Sequence, residues 1–103
     1  MAASAQPREL YLVRVERGGP WDWSRDMREQ RQWDEHASFM NGLVDDGFIV
    51  LGGVLGDEVR TAHAVEAGSE DEVRQRLAQD PWSGSHLVVD SIDLWTIRLQ
   101  RLP

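Results

Sequence analysis

Residues 48–67 read FIVLGGVLGDEVRTAHAVEA, and this stretch decides how the rest of the chain is arranged. Phe48 to Leu55 is apolar on both faces, which predicts an interior strand. Gly56-Asp57 then turns the chain into a second strand over Thr61 to Ala67, giving a hairpin. Upstream, Leu10 to Val15 alternates, with Tyr11, Val13 and Val15 on one face and Leu10, Leu12 and Arg14 on the other. That is the pattern of a half-buried strand, and Gly18-Gly19-Pro20 ends it. Between this strand and the hairpin, Trp33, Ala37, Met40, Leu43 and Val44 recur at steps of three and four. They predict a long helix, capped by Ser24 and closed by a left-handed Gly47.

Downstream of the hairpin, Ser69 followed by Glu72 forms a capping box for a short helix that carries Val73 and Leu77 through about Gln79. Asp80-Pro81 stops it, because proline pushes its predecessor out of the helical conformation. His86 to Asp90 and Leu94 to Gln100 read as the closing strands. The order is βαββαβ with one extra short strand. A central hairpin with two helical crossovers, each right-handed, predicts an α+β, ferredoxin-like sheet with both helices on one face. Leu10, Leu12 and Leu94 would keep the opposite face partly apolar, so a second subunit is expected to cover it in a homodimer. Residues 1–8 read as a disordered lead-in and residues 9–103 as a single domain.

Composition narrows the chemistry. A chain of 103 residues supports one hydrophobic core. Eighteen acidic residues against 11 basic ones give a net charge of -7, which argues against nucleic acid and anionic membranes as partners. All the basic residues are arginines and there is no cysteine, so Schiff-base lysines, thiol nucleophiles, disulfides and thiolate metal sites are excluded. The longest apolar run, Phe48 to Leu55, is too short to span a bilayer, and the first residues lack the apolar core of a signal peptide. A cytoplasmic location is expected.

Two residues stand out as carriers of chemistry. His36 lies three residues after Trp33 and four before Met40, so a titratable ring shares the inward stripe of the long helix. A core histidine bonded to a backbone carbonyl would have the same spacing. Asp80 places a carboxylate at the end of the second helix, where it opposes the helix dipole, although Asp-Pro is also a favoured start for a type I turn. If the fold joins them, the carboxylate holds one imidazole nitrogen protonated and makes the other a better base.

Trp33-Asp34-Glu35-His36, Phe39-Met40, Leu43-Val44, Gly47-Phe48, Leu51-Gly52-Gly53-Val54-Leu55 and Asp80-Pro81-Trp82 occur in an order that resembles the YCII-related (YciI-like) proteins, over about Leu10 to Leu99. The resemblance implies a ferredoxin-like fold of the dimeric α+β barrel group and a His/Asp dyad, here His36 and Asp80. This chain departs from the pattern at Val54, where such proteins usually carry proline.

The remaining candidates are weaker. Trp21, Trp23, Trp33 and Trp82 flank the dyad segments and would wall an aromatic pocket. Trp95, with Ile97 and Leu99, reads as core. Gly52-Gly53 inside a strand marks either a pocket floor, with Gly53 as lining, or tight packing against a helix. Arg25, Arg28 and Arg31 recur every third residue near the start of the long helix, where they read as solvated surface among Asp22, Asp26 and Glu29, with Arg28 the candidate to meet an anionic group of a substrate. Trp33, Met40, Gly53, Trp82 and Arg28 are thus the expected pocket residues. His63 and His86, even with Asp34 and Glu35, match no metal motif, so no metal and no cofactor are expected. The reading is a cofactor-free enzyme moving a proton on a small carbonyl- or ring-bearing metabolite, of isomerase, lyase or hydrolase type. The alternatives are a dimeric module that holds a small ligand without turning it over and a purely structural dimerisation domain.

Overall fold

The computed structural model describes residues 8–101. The expected lead-in therefore falls outside the described residues apart from Arg8, and Arg8 already belongs to the first strand. The elements are β1 (Arg8–Arg17), a 3-10 turn (Met27–Glu29), α1 (Trp33–Asp45), β2 (Ile49–Val54), β3 (Arg60–Val65), α2 (Glu70–Leu77) and β4 (Leu87–Ile97). The four strands form one antiparallel sheet in the order β2-β3-β1-β4. Four antiparallel strands and two helices make an α+β fold compatible with a ferredoxin-like arrangement. Among the described residues, no helix is long and apolar enough to cross a membrane.

Strand parity assigns the two faces. Val13 pairs with His63 and Val15 with Thr61, so these side chains and Val65 point the same way. On this face Val13, Val15, Ile49 and Val65 pack with Leu43 and Phe39 of α1, with Val73 and Leu77 of α2, and with Phe48. Both helices therefore cover one face. The other presents Leu10, Leu12 and Arg14 from β1. Trp95 stands opposite Leu10, whereas Leu94 stands opposite Tyr11 and so belongs to the helix side. This exchanges the expected roles: Trp95 is no core residue but lies 43% exposed on the helix-free face, and Leu99 is 91% exposed.

Three further differences have local causes. The closing strands are one strand, β4. Arg14 pairs with Ser91 and Val15 with Val89, leaving Asp90 as a bulge that reverses the alternation, which is why the sequence looks interrupted there. Second, β2 is an edge strand and not an interior one. A bulge at Val50 lies between the pairs Ile49 with Val65 and Leu51 with Ala64, and Leu51 is 67% exposed. Third, α1 begins at Trp33, eight residues later than a Ser24 cap would place it. Ser24 instead donates its hydroxyl and its backbone N–H to the Asp22 carboxylate, and Asp26 caps the 3-10 turn reciprocally with Glu29.

Helix ends follow the sequence more closely. Gly47 adopts φ 81°, with its N–H on the Val44 carbonyl and the Phe48 N–H on the Leu43 carbonyl. That is the Schellman pattern, and the buried Phe48 and Leu43 add its usual apolar contact. The Ser69 hydroxyl accepts from the Glu72 N–H, but the Glu72 carboxylate closes the box on the Gly68 N–H, one residue early. Phe48 thus ties the end of α1 to the sheet. Phe48→Ala is expected to lower unfolding free energy by about 3–5 kcal/mol, measured by chemical denaturation. A loss within error of zero would remove Phe48 from the core.

Candidate functional site

His36 occupies the first turn of α1, and Asp80 lies beyond the end of α2, 44 residues later. The fold brings them into contact. His36 Nδ1 lies 2.9 Å from Asp80 Oδ1 and 2.8 Å from Oδ2. Both residues are buried, at 7% and 9% exposure. An ionised carboxylate can only accept, so Nδ1 carries the proton and Nε2 is the nitrogen left for other partners.

The turn reading of Asp80 holds as well. Its carbonyl accepts from the Ser83 N–H at 2.9 Å, and its Oδ1 accepts from the Trp82 N–H at 3.0 Å, an Asx turn. One carboxylate therefore both closes the turn and grips the imidazole. Trp82, 1% exposed, stacks its ring on His36 with centroids 3.9 Å apart and planes 11° from parallel. Its indole N–H donates to the Arg31 carbonyl at 2.7 Å. This fixes the chain just before α1, where Gln32 takes a left-handed φ of 63°. His86 stacks on the same indole at 5.3 Å, and Trp21 meets it edge-on at 5.4 Å.

His36 faces a pocket of about 240 Å³ between α1 and the sheet. Trp33, Met40, Gly53 and Trp82 line it, and Trp21 joins them. Trp23 does not, and stands 61% exposed. Arg28 is a correction: it is exposed on the 3-10 turn, outside the lining. Because α1 starts at Trp33, the arginine triplet sits on irregular chain and does not share a helix face. Arg17, at the end of β1, is the arginine in the lining. Its guanidinium lies 4.3 Å from the Trp21 ring centre and 5.5 Å from that of Trp23.

Besides Arg17, three contributors to the site were not singled out by the sequence. Thr61 lines the pocket, and its Oγ1 is buried without a hydrogen-bond partner. Buried Gln30 braces the loop before α1, accepting from the Asp22 N–H and donating to the carbonyls of Asp22 and Arg25. His63, which by sequence only failed to match a metal motif, lines the pocket beside Gly52. A Cβ at Gly52 would overlap the His63 ring, so the glycine serves a close approach to a neighbouring strand's side chain and not to a helix. Strand parity carried the signal for Arg17, Thr61 and His63: all fall on the alternation that includes Val13, Val15 and Val65.

His86 lies apart from His63, against Trp82 and Trp21, and Asp34 and Glu35 are exposed. Among the described residues no group of three or more His, Asp or Glu side chains is gathered in a way that would hold a metal ion. Comparison with protein-family models, with curated proteins and with solved structures gives no match.

The arrangement can orient one imidazole, keep its Nε2 toward an aromatic hollow and shield the supporting carboxylate from water. His63 adds a second imidazole of different character. Burial holds its pKa below the ordinary 6.5, the nearby His36 lowers it further, and Asp80 partly opposes this. Folded His63 thus binds fewer protons than unfolded His63 in the range just below 6.5, and stability falls as pH drops through that range. Between about pH 7.5 and about pH 5.5, wild type should lose more unfolding free energy than His63→Gln. Parallel decline of the two proteins in chemical denaturation would remove the burial argument.

Proposed function

We propose that this chain is a small cofactor-free enzyme of the YCII-related kind, in which the His36–Asp80 dyad moves a proton on a carbonyl- or ring-bearing metabolite. The reaction is of isomerase, lyase or hydrolase type. The observation that carries the reading is the bidentate contact of Asp80 with His36 Nδ1 behind a pocket that His36 itself lines. The fixed Nδ1–H aims Nε2 at a bound molecule. Asp80 compensates the positive charge that forms when Nε2 takes the proton, and the same nitrogen can return it elsewhere on the substrate. The tryptophan walls exclude water and favour a flat substrate.

A positioned base contributes about 10² to 10⁴ in rate. His36→Ala is expected to lose at least about 10² in turnover with the fold intact, and Asp80→Asn to lose part of that by misorienting the ring. The assay is turnover of the best stabilising metabolite from a thermal-shift screen. Full turnover in His36→Ala would end the catalytic reading. The aromatic lining also favours the second reading, a module that only holds its ligand. In that case bound metabolite would be recovered chemically unchanged from wild type.

The proposal extends to a cytoplasmic homodimer of the α+β barrel type. Its support is the helix-free sheet face, where Leu51 and Trp95 are 67% and 43% exposed and Leu12 lies between them in the sheet. Light scattering at micromolar concentration is expected to give twice the chain mass, and Leu51→Asp with Trp95→Asp to give the single mass. A strict monomer for wild type would refute the dimer.

A further inference from the structure

Among the residues that line the pocket, Arg17 is the permanently charged one. The lining contains no aspartate or glutamate, in a chain that has 18 of them and a net charge of -7. Asp80 does not face the hollow directly: its oxygens are engaged by His36 Nδ1 and the Trp82 N–H behind the imidazole. Arg17 forms no ion pair among the described residues, whereas five other arginines do. A second hollow that Arg17 also lines brings Asp26 and Glu58 into the neighbourhood. Neither pairs with it, and Asp26 is committed to the Met27 N–H at 2.8 Å. The guanidinium is held over Trp21 and Trp23 instead. Trp21 leads through Trp82 to His36 by successive ring contacts of 5.4 Å and 3.9 Å.

A planar fork of donors with no carboxylate partner, held in place by aromatic faces, is suited to bind a carboxylate bidentately. The hollow between it and His36 is walled by indoles and apolar side chains. At about 240 Å³ it exceeds the roughly 150 Å³ cavity that accommodates benzene. We propose that the pocket takes a planar monocarboxylate of one or two rings, or of equivalent unsaturated length, with its carboxylate on Arg17 and its body along Trp21 and Trp82 toward His36. This deepens the catalytic reading by naming a substrate class. Arg17 is a binding and specificity residue that leaves proton transfer to the dyad.

The test uses unreactive probes, so it does not pass through turnover. 1-Naphthoate and the neutral 1-naphthamide are titrated into the intact protein by calorimetry. Wild type is expected to bind the acid about tenfold more tightly than the amide, the size of one charge-assisted contact. Arg17→Gln should abolish the preference and Arg17→Lys should restore part of it. Raising the salt concentration should weaken the acid but not the amide in wild type, a readout that needs no variant. Equal affinities in wild type, an acid preference that survives in Arg17→Gln, or no binding of either probe at millimolar concentration would overturn the assignment. Full turnover in His36→Ala would instead sink the dyad and leave this binding contrast standing.

Discussion

The buried carboxylate of Asp80 is the constraint around which the rest of the site is arranged. Removing a carboxylate from water costs several kcal/mol unless its oxygens are hydrogen-bonded. Here the partners are a ring from α1 and the backbone of the turn that follows α2. The turn cannot close on Asp80 without presenting the carboxylate to His36, and α1 cannot dock without bringing that ring. Trp82 lies on the imidazole and ties its own N–H to the chain entering α1. Orientation of the imidazole and the joining of α1 to the turn after α2 thus share one group of side chains. Loss of either member of the dyad leaves a polar group buried, and affects packing as well as chemistry.

Much of this was legible in the sequence because it is local. The alternation of Tyr11, Val13 and Val15, the three-and-four spacing through Leu43, the left-handed Gly47 and the Ser69 cap each depend on residues close in the chain. His36 and Asp80 were also legible as individuals, one by its place on an inward stripe and the other by its place against a helix dipole. Their meeting followed from the resemblance and from the element order, not from spacing, since 44 residues separate them.

What escaped was set by register and by irregular chain. The bulge at Asp90 shifts the alternation by one residue, so Leu94 and Trp95 exchange faces and one strand reads as two. The apolarity of Phe48 to Leu55 suggested an interior strand, but those side chains serve a pocket on one face and an uncovered sheet on the other, at the edge. The loop before α1 is organised by the amide of Gln30, which bonds backbone groups as far as eight residues away, and no periodicity announces such a brace. Arg28 was therefore assigned to a helix face that does not exist. Arg17 was overlooked although the parity of β1 already placed it beside Val15.

The two bulges have a consequence for how such molecules meet each other. An open sheet has two free rims, and a straight rim with apolar side chains invites another chain to zip onto it, strand after strand. Here both outermost strands are interrupted, β2 at Val50 and β4 at Asp90, and the first also carries two adjacent glycines. Each break twists its rim and spoils the even ladder that open-ended fibril growth requires. The sheet can thus leave Leu51 and Val54 uncovered at one rim while resisting polymerisation, and the closed pair proposed above would form on the flat of the sheet and not along its rims.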